Sequence, residues 1–214
     1  MDGTLIDSLM FWGEAWRTIG KKFMGLDGYT PPESVDRAVR TMIYTDALRY
    51  MRDELKLSVT EDEFVSFGKT LLSDFYETTA KVKPGAFELL DHLRAKGIKM
   101  CVASATNSEY VKRALAHHRL IDYFDSVHSC SELGVGKDKP DVYLKAIDSL
   151  GLSPEEVCVF EDSYVAIETA RAIGCRTAGL YDRYNFGQDR LRDSSDVYMS
   201  EGEDLSSLVG RFDS

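Results

Sequence analysis

The chain has 214 residues, enough for one large domain or two small ones. Hydrophobic residues make up 43% and charged residues 29% of it, a balance that is typical of globular proteins and excludes fibrous or largely disordered chains. There are 26 Lys and Arg against 36 Asp and Glu, a net charge of −10, and there is no basic run, so we expect no nucleic-acid partner. No apolar run approaches the roughly 20 residues that span a bilayer, so we expect no membrane partner.

The four cysteines raise the question of disulfides. Cys101 and Cys158 lie inside apolar runs, Cys175 lies just before another, and no C-x-x-C pair occurs. Free thiols in a reducing compartment are therefore favoured over two disulfides. Because the printed sequence also opens without a basic and then apolar leader, we expect a cytoplasmic protein.

The pattern up to residue 80 is helical. Apolar side chains recur at three- and four-residue spacing over residues 9–23, Pro31-Pro32 can begin another helix, and residues 43–55 continue the pattern. Residues 60–63, Thr-Glu-Asp-Glu, form a capping box ahead of a further apolar stripe. This part of the chain is therefore predicted to be a small helical bundle.

After residue 80 the pattern alternates between helices and short apolar strands. Helices are predicted at 86–96, 111–117, 141–150 and 166–173. Strands are predicted at Ile98–Ala103, Val157–Phe160, Arg176–Leu180 and Val197–Met199. Continuous apolar strands between helices indicate a parallel sheet covered on both faces, so the predicted fold class is α/β.

Polar side chains follow two of the predicted strands. Residues 104–107, Ser-Ala-Thr-Asn, come after the first of these strands, and Glu161 and Asp162 come after the second, while Lys137 lies in a loop between them. Ligands of parallel sheets bind beyond the carboxyl ends of the strands, where helix N-termini also offer N–H groups to anions. A hydroxyl, an ammonium and two carboxylates at this edge suit a phosphate held beside a divalent cation.

These residues resemble the motifs of the haloacid dehalogenase-like hydrolases, in particular their phosphoglucomutase-like branch of small phosphatases. Residues 1–8, Met-Asp-Gly-Thr-Leu-Ile-Asp-Ser, resemble the end of the family's first motif, Asp-x-Asp-Gly-Thr. Ser104 matches the hydroxyl of the second motif, Lys137 the lysine of the third, and Glu161 with Asp162 the acidic fourth motif. Nearly the whole chain is covered by this resemblance, which implies a parallel Rossmann-like core at 1–7 and 81–214 and an inserted α-helical cap at 8–80.

The resemblance also implies an activity, the Mg²⁺-dependent hydrolysis of a small phosphorylated metabolite through an aspartyl-phosphate. Asp2 would be the general acid and base, and Lys137 would neutralise charge at the reacting phosphate. The residues implied to bind the phosphate are Ser104, Ala105, Asn107 and Lys137. The residues implied to hold Mg²⁺ are Asp2, Glu161 and Asp162, with Glu161 acting through a metal-bound water or by orienting the site.

One departure from the family pattern concerns the nucleophile. In the family the first Asp of Asp-x-Asp attacks phosphorus, and that position lies before Met1, as does the first apolar strand. We expect the natural protein to begin upstream; the alternatives are a short form that lacks the nucleophile and a rebuilt fold, for instance by strand exchange. Without that strand, an apolar trough with unpaired strand edges is expected beside the strand that ends at Glu161.

Each site assignment has a simpler alternative. Asp2 could be a frayed terminal acid, Ser104 or Asn107 could cap the following helix, and Lys137 could be a solvated loop lysine. Asp162 could be another helix cap, but a buried carboxylate pair is costly unless it is paired or metal-bound. We favour the functional roles, and Asn107 stays open between capping and substrate contact. Thr4 and Asp7 are expected to shape the turn and the hinge.

The helical insert is expected to set specificity. Its candidates for substrate contact are Arg37, Arg40, Thr41, Tyr44 and Lys69. The family's sugar-phosphate mutases typically have a histidine early in the cap, whereas the first histidine here is His92, so a phosphatase is favoured over a mutase. The other alternative is a catalytically inactive phosphate- or partner-binding protein, and a phospho-accepting switch domain is disfavoured because of the long insert. The oligomeric state is open, with a monomer slightly favoured.

Overall fold

The structure is a computed structural model that describes residues 1–212, with the side chain of Thr41 excepted. The chain divides into two compact units: one comprises Met1–Asp7 and the chain from Lys81 onward, and the other comprises Ser8–Ala80. None of the helices in the described part combines the length and the apolar composition that crossing a membrane requires. All four cysteines are free thiols, as predicted.

The unit Ser8–Ala80 is helical. Its four α-helices are α1 (Phe11–Ile19), α2 (Glu33–Thr41), α3 (Tyr44–Glu54) and α4 (Glu61–Thr78). The predicted capping box is present, because Thr60 accepts a bond from the backbone of Glu63 while the Glu63 carboxylate bonds the backbone of Thr60. The first helix ends earlier than predicted and continues as a π-helical turn at Gly20–Met24, where a Cβ on Gly20 would lie 2.2 Å from Cβ of Tyr29.

Apolar side chains from all four helices form the core of the helical unit. The largest of them that are almost fully buried are Trp16, Ile19, Leu48, Met51 and Phe64. A polar clamp closes one side of this core, since Asp36 accepts a bond from the Trp16 indole N–H (2.8 Å) and from Nε of Arg40 (2.8 Å). A buried indole N–H needs such a partner, so the clamp fixes α1 against α2.

The second unit is an α/β structure, as predicted. Its strands are β1 (Ile6–Asp7), β2 (Lys81–Val82), β3 (Cys101–Ser104), β4 (Ser126–Ser129), β5 (Cys158–Glu161), β6 (Arg176–Leu180) and β7 (Val197–Met199). Its helices are α5 (Ala86–Ala95), α6 (Ser108–His117), α7 (Cys130–Leu133), α8 (Asp141–Leu150), α9 (Tyr164–Ala172) and α10 (Gln188–Ser194). β1 and β2 form an antiparallel pair, β3 and β4 a parallel pair, and β5, β6 and β7 a parallel sheet in that order.

Two strand edges face an apolar cavity of about 710 Å³. Within residues 1–212, β3 pairs only with β4, and β5 pairs only with β6. The cavity is lined by residues of both strands and by apolar side chains of α5 and α8, and Met1 lies at its wall. Burial raises the pKa of the Cys101 thiol to about 11 and that of Cys158 to about 12. The apolar cavity between the unpaired edges of β3 and β5 is called the trough below.

Candidate active site

The predicted site residues come from four segments of the chain, two of which are the carboxyl ends of β3 and β5. Ser104 is the last residue of β3, Glu161 is the last residue of β5, and Asp162 follows it directly. Lys137 lies in the loop between α7 and α8, and Asp2 lies in the turn before β1. β3 and β5 belong to separate sheets that flank the same cavity, and the turn before β1 bonds to the segment after each strand, through Thr4 to Asp162 and through Asp2 to Thr106.

The turn at residues 1–6 is closed by its own backbone. The carbonyl oxygen of Met1 accepts bonds from the N–H groups of Thr4 (3.2 Å), Leu5 (2.8 Å) and Ile6 (3.2 Å). Gly3 has φ = +66°, and a Cβ there would lie 2.4 Å from Oδ2 of Asp162. Only glycine combines this left-handed backbone with so close an approach, so the Asp-Gly-Thr turn is seated directly against Asp162.

Asp162 is buried and is held by neutral donors. Its carboxylate accepts a bond from Oγ1 of Thr4 (3.1 Å) and another from Nδ2 of Asn185 (2.7 Å). Burial, and next the negative charge of Glu161, raise the pKa of Asp162 to about 6, although Lys137 and Lys83 act in the opposite direction. The charged form is therefore destabilised in the absence of a cation.

Glu161 has a different environment from its neighbour. Nζ of Lys137 makes a hydrogen-bonded ion pair with its carboxylate, and the side chains are only 17% and 5% exposed. Burial by itself lowers the pKa of Lys137, but the charge and hydrogen bond of Glu161 and the charge of Asp162 outweigh burial and raise it. Lys137 is therefore a cation at neutral pH, and it neutralises Glu161 rather than Asp162.

Asp2 and Ser104 are linked through a residue that the sequence analysis did not single out. Oγ1 of Thr106 donates to Oδ2 of Asp2 (3.0 Å), and the backbone N–H of Thr106 donates to Oγ of Ser104 (3.1 Å). Ser104 is 2% exposed and closes this short turn with its hydroxyl, whereas Ala105 is exposed. Thr106 could have been identified from the sequence as a second hydroxyl in the segment Ser-Ala-Thr-Asn, directly after the predicted strand.

Asn107 has the capping role that was one of its two open alternatives. It is the N-cap of α6, and its side-chain oxygen accepts a bond from the N–H of Glu109 (2.9 Å). The residue is exposed. Capping explains the amide oxygen of Asn107, while contact with a substrate stays a prediction.

The predicted carboxylate set is only partly assembled as a metal site. In the described part of the chain, no three His, Cys, Asp or Glu side chains lie close enough together to hold a metal ion. Asp2, Glu161 and Asp162 therefore do not form a three-carboxylate cluster, because Glu161 is turned to Lys137 and Asp2 to Thr106. Mg²⁺ is usually bound by one or two carboxylates and keeps several waters, so the buried Asp162 fits Mg²⁺ better than a zinc site.

Two further residues near the site come from regions without a predicted motif. Lys83, just after β2, makes an ion pair of 2.8 Å with Asp182, and the two side chains are 11% and 3% exposed. Asn185 lies in the same loop after β6 as Asp182 and reaches Asp162. Their partners are distant in sequence, so no local pattern could indicate them.

The specificity candidates of the helical insert have partners inside their own unit. Nε of Arg40 pairs with Asp36 (2.8 Å), and the hydroxyl of Tyr44 donates to the carbonyl oxygen of Gly68 (2.7 Å). Arg37 forms an exposed pair with Glu33 within α2, Lys69 is exposed, and the side chain of Thr41 lies outside the described residues. Their contact with a substrate stays a prediction.

Comparison with known proteins identifies relatives over almost the whole chain. The family model of haloacid dehalogenase-like hydrolases matches residues 1–174. The chain is 26% identical over 213 residues to the phosphorylated carbohydrates phosphatase of Thermotoga maritima, which covers 98% of this chain and 95% of that protein. It is 27% identical over 177 residues to a phosphoglycolate phosphatase of Pectobacterium atrosepticum, covering 82% and 71% of the two chains.

Solved structures share the fold. CbbY from Rhodobacter sphaeroides, in complex with phosphate, superimposes with a TM-score of 0.75 at 20% identity, covering 97% of this chain and 93% of that one. A β-phosphoglucomutase from Clostridium difficile gives a TM-score of 0.73 at 15% identity, with coverage of 99% and 91%. The parallel, Rossmann-like α/β architecture predicted from the sequence is thereby confirmed.

Proposed function

The chain belongs to the haloacid dehalogenase-like hydrolase family, and from this premise we propose that it is a Mg²⁺-dependent phosphatase of a small phosphorylated metabolite that works through an aspartyl-phosphate. The observation that supports the proposal is the buried carboxylate of Asp162, which Thr4 of the Asp-Gly-Thr turn holds by a hydrogen bond and which follows Glu161, the partner of Lys137. An acid, a fixed cation and a buried carboxylate held by neutral donors are the groups that phosphoryl transfer needs.

Each site residue would have a separate role in the reaction. A carboxylate two residues before Asp2, outside residues 1–214, attacks phosphorus; an Asp O–P bond forms and the ester P–O bond breaks. Asp2 gives its proton to the leaving oxygen and then takes one from the water that releases phosphate. Lys137 holds the phosphate, together with the backbone around Ser104, Ala105 and Asn107.

Asp162, a backbone carbonyl of Asp2 and waters would hold Mg²⁺, with Glu161 orienting Lys137. When bound, the ion supplies positive charge to the phosphate oxygens. The raised pKa of Asp162 supports this role, because a nearby cation would relieve the cost of its buried charge. We further propose that the helical unit Ser8–Ala80 is the cap that sets substrate choice.

The substrate class follows from the relatives, whose names specify phosphorylated carbohydrates and phosphoglycolate. We propose a small phosphate monoester for this chain. A sugar-phosphate mutase is less favoured because no histidine precedes His92. The free thiols and the acidic charge support a cytoplasmic address. A catalytically inactive phosphate-binding protein is the second candidate.

The decisive experiment is hydrolysis of p-nitrophenyl phosphate with Mg²⁺ and with EDTA. Three proteins are compared: residues 1–214, the same chain preceded by an apolar strand with Asp two residues before Asp2, and that extension with Asn instead. Mg²⁺-dependent turnover by the Asp form alone supports the proposal. Turnover by none of them, with phosphate binding retained, identifies the inactive binding protein. Turnover by the chain of residues 1–214 without an extension would contradict the assigned position of the nucleophile.

A further inference from the structure

The loop after β6, residues 181–187, reaches the carboxylate that we propose as the cation ligand. Nδ2 of Asn185 donates one bond to the main-chain carbonyl oxygen of Asp162 (2.9 Å) and another to its Oδ2 (2.7 Å). A single amide group thus holds the backbone and the carboxylate of the same residue. This arrangement, together with the bond from Thr4 to Oδ1, fixes the side-chain torsions of Asp162 and so the direction in which its free lone pairs point.

The orientation of Asn185 is itself fixed by the backbone. Its Oδ1 accepts a bond from the N–H of Phe186 (2.9 Å), which places the amide nitrogen, not the oxygen, toward Asp162. Both hydrogens of the amide are used within the protein, so none is left to donate to a substrate. The amide is therefore built to orient another residue rather than to touch the reacting atoms.

The loop that carries Asn185 is braced at both ends. At one end Asp182 accepts bonds from Lys83 (2.8 Å) and from the N–H of Tyr184 (2.9 Å). At the other end Gly187 has φ = +71°, and a Cβ there would lie 2.6 Å from the ring of Tyr164, the first residue of α9. The loop is thus docked on the segment that follows Asp162, and Asn185 has a rigid base.

The two adjacent carboxylates, Glu161 and Asp162, have hydrogen-bond partners of different charge. Glu161 is neutralised by Lys137, whereas Thr4 and Asn185, which donate hydrogen bonds to the Asp162 carboxylate, are both neutral. A neutral donor orients a carboxylate without cancelling its charge.

We infer that Asn185 is a positioning residue, which holds the Asp162 carboxylate in the orientation that a divalent cation requires. The inference rests on the proposed function, because it takes Asp162 as a Mg²⁺ ligand. Hydrogen-bond partners of metal ligands contribute roughly 10- to 100-fold to metal affinity.

The test is a calorimetric titration of residues 1–214 with Mg²⁺ in the presence of inorganic phosphate. The variant Asn185→Leu removes both donors and keeps the number of side-chain heavy atoms. The matched control is Gln188→Leu, because Gln188 supports the same loop through the carbonyl oxygens of Asp182 (3.1 Å) and Asn185 (3.4 Å) and is not among the donors to Asp162. Thermal unfolding in EDTA measures the structural cost of each variant.

We expect Asn185→Leu to weaken Mg²⁺ binding roughly 10- to 100-fold and Gln188→Leu to leave it within about threefold of wild type. The thermal midpoint of Asn185→Leu in EDTA is expected to fall, because buried acceptors of Asp162 lose their donor. Equal weakening by the two variants, or wild-type affinity in Asn185→Leu, overturns the inference while leaving the proposed function standing. A wild-type chain that does not bind Mg²⁺ refutes the cation role of Asp162, and with it both proposals. If Asn185→Leu does not unfold cooperatively, Asn185→Ala is judged by the same criteria.

Discussion

Thr4 and Asp162 are 158 residues apart in the chain, and a hydrogen bond of 3.1 Å from Oγ1 of Thr4 to Oδ1 of Asp162 joins them. Both residues are buried. A buried carboxylate oxygen that loses a donor keeps its desolvation cost, so this bond matters for folding as well as for the site. It also ties the first turn of the chain to the end of β5.

Replacement of Thr4 tests this tie. Thr4→Val keeps the side-chain shape and removes the hydroxyl, so we expect a loss of about 1–3 kcal/mol in the free energy of unfolding. Thr4→Ser keeps the hydroxyl and is expected to lose about 1 kcal/mol or less, because only a methyl group is removed. Urea unfolding in EDTA at pH 7.5 measures both variants. Equal stability of the two would show that the hydroxyl does not support Asp162.

The raised pKa of Asp162 predicts a specific pH dependence of stability. The pKa rises from an ordinary value of 3.8 to about 6 in the folded chain. Between these values the folded state binds more protons than the unfolded state, so the free energy of unfolding falls as pH rises from about 4 to about 6. The difference corresponds to on the order of 3 kcal/mol, which is fully lost above the folded pKa.

Asp162→Asn isolates this effect, because it keeps the shape and cannot ionise. In EDTA, the stability of wild type relative to Asp162→Asn is expected to fall by on the order of 3 kcal/mol between pH 4 and pH 7. Urea unfolding at several pH values gives the difference. A constant difference would mean that Asp162 titrates near its ordinary pKa. Mg²⁺ is expected to stabilise wild type at pH 7 but not Asp162→Asn.

Sequence reasoning was most accurate where local chemistry decides the structure. The helix 141–150 begins after Pro140 and ends before Gly151, which has φ = +69°, and its predicted bounds are the observed ones. The predicted bounds of β6 and β7 are also the observed ones. The strand predicted at 98–103 is observed at Cys101–Ser104, so it begins three residues later and ends one residue later than predicted.

The elements that sequence reasoning missed depend on distant partners. β4, Ser-Val-His-Ser, has only one apolar residue of four and exists because it pairs in register with β3. Asn185 lies in a polar loop, and only the folded chain shows that it reaches Asp162. The motif residues were predictable because their types specify a chemistry, whereas residues that orient them carry no signature of their own.

The buried ion pair of Lys137 and Glu161 predicts that the effects of replacing the two residues on stability are not additive. Lys137→Met leaves a buried, unpaired carboxylate, and we expect a loss of about 3–5 kcal/mol in the free energy of unfolding. The double variant Lys137→Met, Glu161→Gln carries no unpaired charge and should recover most of this loss. Urea unfolding of both single variants and the double variant closes a mutant cycle. Additive effects would show that the two charges do not stabilise each other.

The trough between β3 and β5 gives the last prediction. Each strand has one edge without a strand partner among residues 1–212, and the cavity between them is apolar in its lining and about 710 Å³ in volume. The sequence analysis expected such a trough beside the strand that ends at Glu161. A five-residue apolar segment rich in Val and Ile, added before Met1, could pair with both edges and bury its side chains against α5 and α8.

Burial of each Val or Ile side chain stabilises the folded state by about 1.5–3 kcal/mol, and ordering each residue costs about 1–2 kcal/mol. These two contributions nearly cancel, so the net stability depends on the backbone hydrogen bonds to both strand edges. We expect a net gain on the order of 2 kcal/mol, seen as a higher urea midpoint. The control carries Asp at the two central positions of the same segment, which would place charges in the apolar trough. Cys101 and Cys158 line the cavity and supply a second readout, since the seated strand should slow their labelling by a maleimide. Equal midpoints and equal labelling rates for the apolar and the charged segments would show that the trough does not accept a strand.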